Sequence, residues 1–229
     1  MSERCYRCFR PLSNCFCPDI VPQDTGVKFV FLMHPKEAYR QKTGTGRLSA
    51  LSLAGSEILV GINFDGNARL AELTSARDGR GGYGDGAGFY PVVLYPSPNA
   101  RRSGDPAFRE ALAGRRLLVI ILDATWFFAR KMLIASTCLR DLPCLSFGAG
   151  YRSEFRIKRQ PAPECLSTIE SAAYLIRELK SAGLASPAAD ENRLLDLFRK
   201  MVDIQIEAEQ ARHEEMAAEL RPDLFKRQV

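Results

Sequence analysis

The chain has 229 residues, of which 46% are hydrophobic and 26% charged, and its formal net charge is +5. This composition predicts one large globular domain, with small appendages at most, and excludes a disordered chain. No apolar run approaches the roughly 20 residues of a membrane span, and no signal-peptide pattern is present, so we expect no membrane association. Seven cysteines without an export signal favour metal ligation or free thiols over disulfides, and hence the cytoplasm.

Four cysteines near the start of the chain form two close pairs. Cys5 and Cys8 make a CxxC pair, and Cys15 and Cys17 follow as a CxC pair. Two such pairs joined by a short connection can supply a tetrahedral zinc site, and four thiolates leave no open position for a substrate. Because so short a segment cannot build a hydrophobic core, the metal would hold its fold. We therefore predict a structural zinc knuckle over residues 1–22; a redox pair or incidental thiols are the alternative.

Apolar, β-rich segments alternate with segments of helical spacing over residues 23–229. This alternation predicts an α/β domain with a largely parallel sheet. The glycine fingerprint of dinucleotide-binding folds and the P-loop sequence are both absent. An amphipathic pattern from about 190 to 220 predicts a long C-terminal helix. The predicted strands cover residues 27–33, 57–60, 89–95, 117–122 and 143–147.

A basic loop follows the first predicted strand, which ends at His34. Its glycines and threonines can present backbone amides and hydroxyls to phosphate, and three cations accompany them. A solvated loop before the helix predicted from Leu48 explains the same residues. The loop residues concerned are Arg40, Lys42, Thr43, Gly44, Thr45, Gly46 and Arg47.

A glycine-rich segment spans residues 78–88, with Arg80 and Tyr83 among six glycines. Its Arg-Gly-Gly-Tyr core resembles single-strand RNA-binding tails. A tolerated surface insertion explains the same composition, and both interpretations stay open.

The strand predicted at residues 117–122 leads directly into Asp123 and then into a helical pattern with the only tryptophan, Trp126. A continuous apolar run suits a strand that is buried on both faces. A carboxylate at the carboxyl end of such a strand stands where α/β sheets bind ligands. The same position can cap the following helix, so a helix N-cap is the alternative interpretation of Asp123.

Charge is unevenly distributed along the rest of the chain. Residues 151–160 are strongly basic, whereas acidic residues gather in the last forty positions, and this asymmetry predicts a basic face for a polyanion. The basic residues of the 151–160 stretch are Arg152, Arg156, Lys158 and Arg159.

Ser167 and Glu170 have the spacing of a helix capping box.

Taken in order, these motifs resemble the DTW-domain family of tRNA-uridine aminocarboxypropyltransferases, a branch of the SPOUT superfamily. The resemblance runs from residue 5 to residue 170, and the glycine-rich segment is not part of it. The matching motifs are the four cysteines, His34-Pro35-x-Glu37, Thr45-Gly46-Arg47-Leu48, Leu94-Tyr95-Pro96, Asp123-Ala124-Thr125-Trp126, Ile157-x-x-Gln160-Pro161 and Ser167-Thr168-Ile169-Glu170.

The resemblance implies transfer of the 3-amino-3-carboxypropyl group from S-adenosylmethionine to N3 of a tRNA uridine, with methylthioadenosine as the by-product. It also implies a SPOUT-like trefoil knot, in which the chain after the fourth strand threads back through itself. In related knotted enzymes the cofactor lies bent among three loops, which correspond here to residues 95–97, 145–147 and 157–168.

Within that family pattern, Asp123 is the predicted general base. Trp126 is expected to stack on the base, to face the sulfonium or to pack in the core, and Arg156 is expected to bind the cofactor carboxylate. The predicted cofactor-binding residues are Leu94, Tyr95, Pro96, Ala124, Thr125, Trp126, Leu145, Arg156, Ile157, Ser167 and Thr168. The predicted RNA-binding residues are His34, Arg40, Lys42, Thr45, Arg47, Arg130, Lys131 and Arg152.

Two other functions are kept as alternatives. An RNA methyltransferase on the same knotted scaffold would release S-adenosylhomocysteine instead of methylthioadenosine. A non-catalytic, zinc-bearing RNA-binding protein would use Asp123 only as a helix cap. The expected partners are tRNA and S-adenosylmethionine, and a monomer is favoured.

Overall fold

The computed structural model describes residues 3–40, 44–75, 88–148, 150–158 and 161–224. Apart from Gly88, the glycine-rich segment therefore lies outside the described residues. Helices and strands alternate along the chain, as the α/β prediction requires. In order they are β1 (Lys28–Met33), α1 (Pro35–Arg40), α2 (Gly46–Ser52), β2 (Glu57–Val60), α3 (Ala68–Ser75), β3 (Phe89–Leu94), α4 (Pro106–Leu112), β4 (Arg116–Asp123), α5 (Trp126–Ala135), α6 (Thr137–Arg140), β5 (Cys144–Leu145), α7 (Thr168–Ser181) and α8 (Asn192–Leu224).

The five described strands form one parallel sheet in the order β2-β1-β4-β3-β5. The central strand β4 pairs with both β1 and β3. Its register places Met33 beside Asp123 and Leu94 beside Ile121. The carboxyl ends of these three strands therefore meet at one edge of the sheet, which is the edge where parallel α/β sheets bind ligands.

Strand β4 is buried on both faces, which explains its uninterrupted apolar run. Leu117, Val119 and Ile121 pack in a cluster with residues of α2, α7 and α8. Leu118 and Ile120 pack in a second cluster with residues of α3 and α5 on the other face. Full burial of one such side chain stabilises the fold by roughly 1.5–3 kcal/mol, so helices on both faces hold the central strand firmly in place.

The fifth strand is shorter than the sequence predicts. Only Cys144–Leu145 pair with β3, because Ser146 donates its amide to the carbonyl oxygen of Arg101 instead of continuing the ladder. The strand order alone does not establish the trefoil knot, which stays a prediction. Among the described helices, none combines the length and the apolar character that crossing a bilayer demands.

The four-cysteine segment packs onto the α/β domain. Cys5, Cys8 and Phe16 belong to the same buried cluster as residues of β4 and α8. An ion pair of 2.7 Å between Asp19 and Lys200 adds a surface contact to α8. The predicted boundary after residue 22 therefore separates two segments that share one hydrophobic core.

Candidate active site and metal centre

A cleft of about 670 Å³ opens at the carboxyl edge of the sheet. Asp123, Leu94 and Leu145 line it from the ends of β4, β3 and β5. The loop before α2, the start of α5 and the long connection between β5 and α7 supply further parts of the wall. The volume lies within the range of small-molecule and cofactor sites, which is roughly 300–1,000 Å³.

The Asp123 carboxyl group is buried, with 4% of the residue exposed, and it lines this cleft. Its Oδ1 accepts a hydrogen bond of 2.6 Å from the Thr168 hydroxyl, whereas its buried Oδ2 has no partner among the described residues. The N-cap interpretation of Asp123 is wrong, because the N-cap of α5 is Thr125. A buried, unpartnered carboxylate oxygen is costly, which makes it a candidate for a ligand contact.

Gly46 at the start of α2 makes room for this carboxyl group. A Cβ atom at position 46 would lie 2.2 Å from Asp123 Oδ2 and 2.3 Å from its Cγ. Real atoms do not approach so closely, so any side chain here would displace Asp123. The glycine is therefore required for space at this point.

Burial raises the pKa of Asp123, because a charged carboxylate is poorly solvated inside the protein. The Thr168 hydrogen bond and the positive charges of Lys158 and Arg47 oppose that rise. Burial also lowers the pKa of Lys158, which the acidic groups of Glu37 and Asp123 counteract. The cleft thus holds acidic and basic groups close enough to influence one another's protonation.

The N-terminus of α7 fixes the loop that closes one side of the cleft. The predicted capping box between Ser167 and Glu170 is present. Glu170 is fully buried, and it also accepts hydrogen bonds from the Ser153 hydroxyl at 2.9 Å and the Glu154 amide at 2.6 Å. This single carboxylate therefore joins the start of α7 to the loop that carries Arg152 into the cleft lining.

Trp126 lines the cleft and is 37% exposed, so it is not a core residue. Its ring centroid lies 6.4 Å from that of Tyr95, with the planes tilted by 51°. Tyr151, from the connection between β5 and α7, also lines the cleft and stacks on Tyr174 at 4.4 Å. Aromatic surface from two parts of the chain is therefore available for a planar ligand.

The four cysteines of the knuckle converge on one point. Their sulfur atoms lie within 4.8 Å of one another, with Cys5–Cys17 at 3.6 Å and Cys8–Cys15 at 3.8 Å. A tetrahedral site with Zn–S bonds of about 2.3 Å has sulfur–sulfur distances of about 3.8 Å, so this donor set fits zinc. Hydrogen bonds from the backbone of Cys8 and Arg7 lower the pKa of the Cys5 thiol to about 6, whereas burial and the neighbouring thiols raise the pKa of Cys17 to about 12. One sulfur is thus readily available as the thiolate that metal binding requires.

The knuckle contacts the loop that borders the cleft. Arg10, only 5% exposed, donates hydrogen bonds to the carbonyl oxygen of Gly44 at 3.2 Å and to the sulfur of Met201 at 3.1 Å. The guanidinium of Arg47 lies 4.0 Å from the ring centroid of Phe9. The segment from residue 44 to residue 47 is consequently held between the knuckle on one side and Asp123 on the other.

A sequence model of the DTW domain matches residues 2–206, which is most of the chain. The chain belongs to the DTW domain family. No solved structure matches it.

Several curated relatives of this DTW chain are named as enzymes, at modest identity. "tRNA-uridine aminocarboxypropyltransferase 2" of Drosophila melanogaster is 28% identical over 78% of the chain and 67% of that protein. The Mus musculus protein of the same name is 24% identical over 77% of the chain and 56% of its own length. "tRNA-uridine aminocarboxypropyltransferase A" of Arabidopsis thaliana is 27% identical over 88% of the chain and 80% of that protein. The chain thus spans little more than half of the mouse relative.

Most of the predicted cofactor residues of the DTW chain surround the cleft. Arg156 and Ile157 are the exceptions. Arg156 is exposed and forms an ion pair with Asp203 of α8, and Ile157 packs against the main core cluster. The predicted residues that line the cleft are Leu94, Tyr95, Pro96, Ala124, Thr125, Trp126, Leu145, Ser167 and Thr168.

The predicted RNA-binding residues are more dispersed. Thr45 and Arg152 line the cleft, and Arg47 lies within electrostatic reach of Asp123. His34 is 5% exposed and stacks on Phe128 at 4.4 Å, so its ring is enclosed by protein. Lys42 lies outside the described residues, as does the side chain of Arg40. Exposed Arg130 and Lys131 lie on α5, beyond Trp126.

Some residues at the site are not among those predicted individually. Glu37 and Lys158 line the cleft, and Gly46 accommodates the Asp123 carboxyl group. Glu37 and Gly46 belong to quoted family motifs, so motif membership was a usable signal for both. Lys158 lies in the basic stretch of 151–160, where composition does not distinguish one cation from another. Glu164 also lines the cleft. Glu164 and Lys158 both lie within the predicted cofactor loop of residues 157–168, but that prediction does not single out either side chain.

Proposed function

We propose that this protein transfers the 3-amino-3-carboxypropyl group of S-adenosylmethionine to N3 of a uridine in tRNA, with Asp123 as general base. The observation that carries the proposal is the buried Asp123 carboxyl group beside a cleft of cofactor size, with Oδ2 unpartnered among the described residues. The names of the curated relatives, which describe tRNA-uridine aminocarboxypropyl transfer, support it.

The reaction is a substitution at the γ-carbon of the methionine part of the donor. A bond forms between that carbon and uracil N3, and the bond from the carbon to the sulfonium sulfur breaks. Its electron pair leaves with methylthioadenosine, and the N3 proton passes to the base. Because a sulfonium carries three carbons, the product depends on which carbon lies in line with the nucleophile. The cleft must therefore present the γ-carbon and cover the methyl group.

Asp123 suits the role of base in two respects. Burial raises its pKa, so its carboxylate is a stronger proton acceptor than an exposed aspartate. Thr168 occupies Oδ1, and among the described residues Oδ2 has no hydrogen-bond donor. Base catalysis of this kind contributes about 10²–10⁴-fold to a reaction rate.

Lys158 takes over the role first assigned to Arg156, namely binding the carboxylate of the donor. Arg156 points to Asp203 on the surface, whereas Lys158 lines the cleft. Lysine offers a compact cation for a carboxylate, and nearby Glu37 offers negative charge on the same wall. This pairing of opposite charges is suited to the amino-acid end of S-adenosylmethionine.

The charge assignment is tested by binding, without turnover. We expect Lys158→Met to weaken binding of S-adenosylmethionine by roughly 10–100-fold, the usual range for a hydrogen bond to a charged group. Arg156→Met is the matched control and should change the affinity less than twofold. An analogue that lacks the carboxylate should bind wild type and Lys158→Met equally in calorimetry. Equal S-adenosylmethionine affinity in wild type and Lys158→Met would remove this assignment.

The remaining parts of the proposal concern tRNA, zinc and location. Arg152 and Arg47 lie where they can hold phosphates beside the cleft, and such contacts act by charge without reading sequence. The four cysteines hold a structural zinc ion, which supplies the fold of the knuckle and takes no part in the transfer. The proposed location is the cytoplasm, where reducing conditions keep the thiols available to the metal.

The decisive experiment supplies unmodified tRNA and S-adenosylmethionine and identifies the by-product by mass spectrometry. We expect methylthioadenosine, and a tRNA uridine heavier by the aminocarboxypropyl group. Asp123→Asn should lower the turnover about 100-fold or more while S-adenosylmethionine still binds. S-adenosylhomocysteine as the by-product would favour the methyltransferase alternative. Absence of any heat of S-adenosylmethionine binding would favour the non-catalytic RNA-binding protein.

A further inference from the structure

One face of helix α5 exposes aromatic and cationic side chains directly beside the cleft. Trp126 lines the cleft, and the next residue, Phe127, is 62% exposed. One helical turn further on, the cations Arg130 and Lys131 are exposed, and Ile134, 58% exposed, follows. We call this surface the α5 rim; its members are Trp126, Phe127, Arg130, Lys131 and Ile134.

Lys131 of the α5 rim and the neighbouring Lys36 are associated with aromatic rings and not with carboxylates. The Lys131 amine lies 4.3 Å from the centroid of Phe127, and the Lys36 amine of the neighbouring helix α1 lies 4.4 Å from that of Phe128. In the described part of the chain, neither lysine nor Arg130 forms an ion pair. The sequence has no acidic residue between Asp123 and Asp141, so no carboxylate of α5 itself offsets this charge.

We propose that the α5 rim binds a single-stranded segment of the RNA substrate, with Phe127 stacking on an unpaired base next to the target uridine. This inference rests on the proposed function, because N3 of uracil lies on the edge that base pairing covers. A uridine modified at N3 must be unpaired, and its neighbours in a loop are then free to stack on exposed rings. Exposed aromatic rings beside cations are the usual platform for single-stranded RNA.

A second copy of this chain fits the same surface less well. A symmetric dimer through α5 would place each copy's Arg130 and Lys131 near those of the other copy. Like charges facing one another across an interface are unfavourable, whereas phosphates complement them. The rim is also continuous with the cleft through Trp126, which is where a bound nucleotide chain has to pass.

The test measures binding of the full chain, without cofactor, to two probes: a single-stranded oligouridine and a duplex RNA of equal length. We expect Phe127→Leu to weaken oligouridine binding at least about fivefold and to leave duplex binding unchanged, because leucine keeps the apolar surface but cannot stack. Phe127→Trp should retain the affinity. Met216→Ala, which removes a similarly exposed apolar side chain from α8, is the matched control and should change neither affinity.

A change of charge gives a second, independent signature. Lys131→Gln should weaken the binding of both probes and reduce the slope of log affinity against log salt concentration by about one. Equal losses of both probes in Phe127→Leu, or no loss, would overturn the stacking proposal. A shift of oligomeric state in Phe127→Leu with unchanged RNA affinity would assign the rim to contacts between copies. If the probes behave as expected but no methylthioadenosine is formed from tRNA, the proposed function fails while the RNA surface stands.

Discussion

The zinc knuckle and the cleft are assembled in opposite ways. The four cysteine sulfurs lie within 4.8 Å of one another and come from one short segment, Cys5 to Cys17. The Asp123 carboxyl group and the Thr168 hydroxyl meet across 45 positions of the sequence. In the proposal a metal ion organises the first site, whereas the parallel sheet and its helices organise the second. The knuckle should therefore respond to the chemistry of the metal, and the cleft to the packing of the fold.

The two regions nevertheless meet at one loop. Arg10 of the knuckle donates a hydrogen bond to Gly44, and Arg47 stacks over Phe9. Two residues beyond Gly44, Gly46 lies against the Asp123 carboxyl group. A disturbance of the knuckle therefore has a physical route to the cleft, and this route can be tested from either end.

Zinc removal is expected to have the largest effect. Without the metal, nothing holds Cys5 and Cys8 together in the shared core, and we expect Arg10 to lose its position against Gly44. We expect Cys8→Ser to abolish tRNA modification and to weaken S-adenosylmethionine binding at least about tenfold. Elemental analysis measures the zinc, and fluorescence of Trp126, the only tryptophan, measures binding in the cleft.

The matched control for this experiment is Cys138→Ser. Cys138 is a half-buried thiol of α6 that lies outside the four-cysteine cluster. The variant should keep zinc at about one ion per chain and should bind S-adenosylmethionine like the wild type. Wild-type affinity in a zinc-free protein would show that the knuckle and the cleft are independent.

The same contrast explains how much the sequence predicts. Cysteine spacing predicts the knuckle because the four ligands are close together in the sequence, and one apolar run predicts β4. The contact of Gly46 with Asp123 cannot be predicted in this way, because it depends on how α2 packs against the end of β4. Lys158 and Arg156 are two positions apart in an irregular loop, where no periodicity indicates which side chain enters the cleft. The N-cap interpretation failed for a similar reason, since α5 begins three residues after Asp123.

Gly46→Ala should damage the cleft and leave the knuckle intact. The added Cβ would lie 2.2 Å from Asp123 Oδ2, so the carboxyl group has to move. Overpacking of this kind costs about 1–3 kcal/mol of stability, and a catalytic group misplaced by about 1 Å loses roughly 100-fold in rate. Thermal unfolding, turnover and zinc content of the variant test this expectation.

Gly104→Ala is the control for this substitution, because a Cβ at position 104 meets no atom within 4 Å. Its turnover and melting temperature should stay close to those of the wild type. If Gly46→Ala lost zinc together with activity, the damage would have spread to the knuckle, and the loop would couple the two sites in both directions.

The smallest effect concerns the pH dependence of stability. Burial raises the pKa of Asp123 in the folded chain above the unfolded value of about 3.9. Between those two values the folded chain holds a proton that the unfolded chain has released, so the free energy of unfolding falls as the pH rises. Asparagine does not titrate, so Asp123→Asn lacks this pH-dependent loss of stability. Its stability relative to the wild type should therefore increase from about pH 4 upward, and level off once the pH exceeds the folded pKa.

Thr168→Val sharpens this last prediction. The Thr168 hydroxyl donates its hydrogen bond to Oδ1 and thereby lowers the pKa of Asp123. Valine has nearly the same shape but cannot donate, so the folded pKa should rise further and the window of falling stability should extend to higher pH. Thermal unfolding of wild type, Asp123→Asn and Thr168→Val across pH 4–8 measures the three curves. If the stability difference between wild type and Asp123→Asn did not change with pH, the carboxyl group would titrate equally in both states, and the buried setting proposed to make it a base would lose its basis.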